Sequence, residues 1–141
     1  PGRGERLTVG GVPVVLDGAH VPSSVAALLD DLAAAPGLRG PPVAVLGLGR
    51  DKDAEGILKV LGGRADRILC TSAGTGLSLP SGELAAKAGG LGRVENHPDP
   101  RVAVVRALDL AEGGWVLVTG SLHLVGAVRP LLRAQALDPR C

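Results

Sequence analysis

Short apolar runs alternate with helical patterns along this chain, and that alternation limits the fold more than any other feature. Val43–Leu46 is a continuous apolar strand, as suits burial on both faces of a sheet. Arg67–Thr71 and Trp115–Thr119 read as further strands, and Val94 centres a weaker one. Between them lie helical faces carrying Val25, Leu28, Leu29 and Leu32, then Ile57, Leu58 and Leu61, then a short helix over 81–88. Val102, Val105 and Leu108 form a fourth face, capped by Asp99 with Pro100 at the first helical position. Leu122, Val125 and Val128 form the last, which Pro130 is expected to kink or end near Arg129. Strands alternating with helices specify an α/β protein with a doubly wound, mostly parallel sheet. The start is different: Leu7–Val9 and Val12–Leu16 flank Gly10-Gly11, a two-residue hairpin signal, so the first strand is antiparallel.

Within that frame, Val14 to Ser24 is the stretch best placed for chemistry. Its apolar run stops at Asp17, and a loop with Gly18, Ala19, His20 and Pro22 leads into the first helix. Ligands of open α/β sheets bind outside the carboxyl ends of the strands, where helix N-termini favour anions. Two more polar clusters follow strands: Arg50 to Asp53 and Thr119 to Ser121. Parallel strands would bring all three clusters to one edge. Asp17 suits ribose hydroxyls, Lys52 suits a phosphate or carboxylate, and Ser121 with the helix behind it suits a second anion. The same residues also have a purely local reading. Asp17 and Ser23 can cap the first helix, with His20 a surface residue; Asp51 and Asp53 can cap the next, with Lys52 solvated; Ser121 can be an N-cap.

Composition narrows the function. The 141 residues are 45% hydrophobic, enough for one domain with a substantial core. One Trp, no Phe and no Tyr leave that core to Leu, Val and Ala and leave little to stack on single-stranded nucleic acid. A net charge of +1, with acidic and basic residues interspersed, gives no basic stripe for nucleic acid. No run approaches the ~20 apolar residues of a membrane span. Cys70 sits in an apolar run as an inert core thiol and Cys141 is the last residue, so no disulfide framework is expected and a cytoplasmic location is. His20, His97 and His123 lack metal-ligand spacing. The chain contains no Met, as expected of a piece of something longer. No G-x-x-x-x-G-K-[ST] occurs to hold a triphosphate, and Lys52 stands where the third Gly of a dinucleotide loop belongs after Gly47 and Gly49. These residues amount to half of an active site.

Four motifs then carry a resemblance. Pro1-Gly2-Arg3 with Glu5, Leu16-Asp17-Gly18-Ala19-His20-Val21-Pro22, Asp51-Lys52-Asp53, and Val118 to Gly126 with Val128-Arg129 occur in this order. They resemble P-G-R-x-E, L-D-G-A-H-N-P, D-K-D and V-T-G-S-L-Y-L-V-G-x-V-R of the folylpolyglutamate synthase/dihydrofolate synthase family, in the Mur ligase superfamily. The match covers nearly the whole chain and identifies it with that family's C-terminal domain. The resemblance implies an ATP-dependent ligase. A carboxylate of dihydropteroate or a folate is phosphorylated, and the amine of L-glutamate attacks the acyl phosphate. It implies ATP and Mg²⁺, with the P-loop, the Mg²⁺ ligands and much of the pterin site in a central domain outside this chain. Arg3 and Asp17 would contact the nucleotide; His20, Ser121 and Lys52 would hold glutamate; no catalytic or metal-binding residue is assigned to the chain itself. The isolated domain is expected to be an inactive monomer. The other reading is a non-catalytic α/β module that holds a nucleotide or anion. Three departures stand out: Val21 replaces the family Asn, His123 replaces a common Tyr, and Pro130 follows the V-x-V-R run.

Overall fold

The computed structural model describes residues 4–137, so Arg3 and Cys141 lie outside the described residues. Six strands and five helices alternate as expected. They run β1 (Glu5–Val9), β2 (Val12–Asp17), α1 (Pro22–Ala33), β3 (Val43–Leu46), α2 (Ala54–Gly62), β4 (Arg67–Cys70), α3 (Ser81–Lys87), β5 (Val94–Asn96), α4 (Pro100–Leu110), β6 (Val116–Thr119) and α5 (Leu122–Leu137). The sheet order is β1-β2-β6-β3-β4-β5, with β1 antiparallel to β2 and every other pairing parallel. Gly10 and Gly11 both take positive φ (55° and 81°), the geometry that a tight two-residue hairpin requires.

From β2 the chain steps outward through β3, β4 and β5, then returns to insert β6 between β2 and β3. Right-handed crossovers place helices of opposite stepping direction on opposite faces. Accordingly Val25, Leu29, Ile57, Leu58, Leu61 and Leu84 from α1–α3 pack on Val15, Ala44, Leu46, Ile68 and Leu117. On the other face, Ala103, Val104 and Ala107 of α4 and Leu124, Val125, Val128 and Leu132 of α5 pack on Val14, Leu16, Val45, Leu69 and Val118. Neighbouring strand residues serve opposite cores, which is why β3 and β6 read as unbroken apolar runs. Trp115, nearly buried at the foot of β6, donates its indole N–H to the Gly40 carbonyl (2.8 Å) and so pins the Pro/Gly loop after α1.

Two local expectations need correction. Pro130 does not end α5, which continues to Leu137. The ring removes one N–H and frees the Gly126 carbonyl, but both residues face solvent, so water can satisfy that carbonyl. Burial of Leu124, Val125, Val128 and Leu132 on the opposite side of the helix outweighs the loss. The cap of α1 is neither Asp17 nor Ser23. Val21 is the N-cap, and Ser24 Oγ accepts from the Val21 N–H (3.3 Å) and donates to the Val21 carbonyl (3.0 Å). Asp53, by contrast, caps α2 as its local reading had it, accepting from the Gly56 N–H at 3.0 Å.

Candidate functional site

Strand register brings the three polar clusters together. Asp17 of β2 and Leu46 of β3 both pair with Thr119 of β6, so the three strands end in one row. β6 is also where the winding reverses: α1 and α2 leave to one face and α5 to the other. The gaps beside it are the crevices in which open α/β sheets bind ligands. Two cavities open there. One, of about 270 Å³, is lined by His20, Lys52, Ser121 and His123 together with Thr75 and Leu77. The other, of about 380 Å³, is lined by Asp17, His20, Val21 and Asp31. His20 and Leu122 border both.

Asp17, His20 and Ser121 are each held by a short-range hydrogen bond. Asp17 Oδ1 accepts the Ala19 N–H (2.9 Å), folding the loop into an Asx turn, and Oδ2 has no partner among the described residues. His20 Nδ1 lies 2.9 Å from the Gly18 carbonyl. Ser121 Oγ accepts from the N–H groups of His123 (3.0 Å) and Leu124 (3.4 Å). It is therefore an N-cap, and its O–H remains a donor toward the cavity. Lys52 Nζ sits 3.7 Å from Asp51 Oδ2, too long and too exposed a pair to neutralise it. Thr119, fully buried, is structural: its hydroxyl donates to the Ala19 carbonyl (3.2 Å) and ties the β2–α1 loop to β6.

Gly120 carries the close approach. Its φ is +107°, and a Cβ there would collide with the Gly47 carbonyl and the side chains of Leu46 and Leu48. Only glycine lets the turn after β6 pass so near the turn after β3.

Of the residues singled out in the sequence, Lys52, His20 and Ser121 converge on one cavity and Asp17 on its neighbour. The contribution of the loop after β4 went unread. A bridge between Gly49 and Ser78, with Arg50 N–H donating to the Leu77 carbonyl (2.9 Å) and Leu79 N–H to the Leu48 carbonyl (2.8 Å), folds residues 72–80 into a wall. That wall brings Ala73, Thr75, Leu77 and Ser78 into the cavity. Its only signal in the sequence was position, since it too follows the carboxyl end of a strand. Cys70 is buried and its thiol is pushed up to about 12 by that burial, which makes it inert. Among the described residues no three carboxylate, imidazole or thiol groups converge to hold a metal ion.

The family model described as "Mur ligase, glutamate ligase domain" matches residues 2–122. Among solved structures, the chain is similar to Mycobacterium tuberculosis folylpolyglutamate synthase complexed with ADP and AMPPCP. There the identity is 32% over 94% of this chain and 32% of that one, with a TM-score of 0.84. It is similar to folylpolyglutamate synthase from Thermotoga maritima at 31% identity, covering 97% of this chain and 31% of that one, with a TM-score of 0.81. A bifunctional folylpolyglutamate synthase/dihydrofolate synthase with Mn, AMPPNP and L-glutamate bound is 28% identical over 94% of this chain and 32% of that one, at a TM-score of 0.80. The chain thus spans about a third of the length of these structures. No curated protein sequence matches it.

Proposed function

The chain belongs to the Mur ligase family, as its glutamate ligase domain, and from that premise we propose that it receives L-glutamate and part of ATP in an ATP-dependent ligase acting on dihydropteroate or folates. The observation that carries this reading is convergence: His20, Lys52 and Ser121, from three separate loops, line one cavity while Asp17 lines the adjoining one. The reaction needs such a site. Glutamate brings two carboxylates toward an acyl phosphate, and cations and O–H or N–H donors must offset that charge while closure excludes water. Lys52 supplies a cation and Ser121 a free O–H donor at the N-terminus of α5. Asp17 keeps Oδ2 for the ribose, with Arg3, outside the described residues, on the ribose–phosphate. Mg²⁺, when bound, neutralises phosphate charge; its ligands and the P-loop belong to a central domain outside this chain. That domain also holds most of the pterin site, and the protein works as a cytoplasmic monomer.

The test is ADP release by the full-length protein with ATP, Mg²⁺, L-glutamate and either dihydropteroate or tetrahydrofolate. Asp17→Ala is expected to raise the KM for ATP, and Ser121→Ala to raise the KM for glutamate by about 10- to 100-fold, the loss of a hydrogen bond to a charged group. Because Ser121 also caps α5, unfolding is followed alongside; uncapping costs only about 1 kcal/mol. Wild-type turnover with both variants unaffected would discard the site and keep the family. No turnover with either acceptor would leave a nucleotide- or anion-binding module.

A further inference from the structure

We infer that His20 is the base that takes a proton from the amino group of the incoming amino acid, an assignment that rests on the ligase reading above. Its tautomer is the first reason. A carbonyl oxygen only accepts hydrogen bonds, so the ring nitrogen 2.9 Å from the Gly18 carbonyl, Nδ1, carries the hydrogen. In the neutral ring Nε2 then holds a lone pair, and it has no protein partner among the described residues. A lone pair repels a carboxylate and accepts from an ammonium. His20 therefore holds glutamate by its nitrogen, while Lys52 and Ser121 take carboxylate oxygens.

Position is the second reason. His20 borders both cavities, the one that contains Asp17 and the one that contains Lys52 and Ser121. A nucleotide beside Asp17 and an amino acid beside Lys52 and Ser121 would meet at that junction. Charged and titratable groups face it from every element around: Asp17 from β2, Asp31 from α1, Asp51 and Lys52 from the β3–α2 loop, and His123 from the start of α5.

The step balances as follows. Nε2 removes one proton from the ammonium, and the freed nitrogen lone pair attacks the acyl carbon. The C–O bond to phosphate breaks with its electron pair on the departing phosphate oxygen, which takes the second N–H proton. The amide forms, inorganic phosphate leaves, and imidazolium returns its proton to solvent.

The experiment compares wild type with His20→Asn in the full-length protein. Asn keeps a donor near the place of Nδ1 and removes Nε2. With glutamate, kcat is expected to fall by about 10²- to 10⁴-fold, the usual worth of a general base. It should then climb tenfold per pH unit as the free amine becomes more abundant. With hydroxylamine, a nucleophile already unprotonated at neutral pH, hydroxamate formation should stay within about threefold of wild type. On wild-type protein, ¹⁵N NMR of the neutral ring should find the hydrogen on Nδ1 and the lone pair on Nε2. A raised glutamate KM with kcat retained would overturn the assignment in favour of carboxylate binding. So would loss of hydroxamate formation together with amide formation, or a protonated Nε2 with Nδ1 bare. Absence of wild-type turnover with every acceptor would sink the ligase reading and this step with it; wild-type turnover matched by His20→Asn would sink this step alone.

Discussion

Val21 occupies the N-cap of α1 in extended backbone (φ −130°, ψ 153°), a place where Asn, Asp and Ser are favoured because their side chains accept an orphan helix N–H. Valine has no acceptor, and Ser24 supports the turn instead. The family's Asn at this position therefore has a capping role available to it that needs no ligand. Val21→Asn is expected to stabilise the domain by about 0.5–1 kcal/mol, or roughly 2–4 °C in Tm, by thermal unfolding. An unchanged Tm with a lowered glutamate or ATP KM would instead make the position a ligand contact. Other motif letters divide in the same way once partners are visible. Glu5 of the first motif and Arg129 of the last meet at 2.9 Å, with Arg133 adding a second contact at 2.9 Å, so this pair joins β1 to α5 and lines neither cavity of the candidate site. Burial pulls the Glu5 carboxyl upward, but the hydrogen bonds and charges of Arg129 and Arg133 outweigh it and hold the carboxyl below its usual range. The motif resemblance singles out both residues. It could not show that they bind each other, because 124 positions separate them.

At the scale of elements, β5 is the weak point, three residues long at the sheet edge. One carboxylate secures it. Glu95 receives Arg106 through two hydrogen bonds (3.1 and 3.2 Å), Arg67 at 2.7 Å and His97 at 2.8 Å. The Arg106 bonds, aided by those from His97 and Arg67 and opposed by burial, lower the carboxyl to about 2. A depressed folded-state value means the stabilisation is complete above the unfolded carboxyl's ordinary range and vanishes as pH falls through the folded value. Urea unfolding should therefore lose about 1–2 kcal/mol from this group, solvent screening allowed for, between roughly pH 4.5 and pH 2. Glu95→Gln should be less stable at pH 7 and flatter across that window; a parallel pH dependence in both proteins would show the network to be inert. The strands and helices themselves were legible, because apolar periodicity fixes what an element buries wherever it packs. The loop 72–80 was not. It has no periodicity, and it becomes a cavity wall only through Gly49–Ser78 pairing across the sheet edge. Pro130 misled for a related reason: a local rule about helix interiors lost to the packing of α5, with the proline on its wet side.

For the whole molecule, the site lies at the carboxyl ends of β2, β6 and β3, and the sequence holds no G-x-x-x-x-G-K-[ST] loop for a triphosphate. In the proposed enzyme the phosphates belong to the P-loop of another domain, and this domain meets only the ribose side, through Asp17 and Arg3. Binding energy available from one carboxylate and one guanidinium at an open surface is small against the rotational and translational freedom a nucleotide gives up. The 141-residue chain by itself should therefore bind ATP weakly, with no Mg²⁺ requirement, and release no ADP with glutamate and either pterin acceptor. Calorimetry decides this directly. A tight, Mg²⁺-dependent complex would mean that the triphosphate and its metal are held here, and the division of the active site between two domains would have to be abandoned. Weak binding that disappears in Asp17→Ala, with Ser121→Ala indifferent, would instead assign the two cavities to two ligands. ATP would then approach from the β2 side and glutamate from the β3 side, with His20 between them.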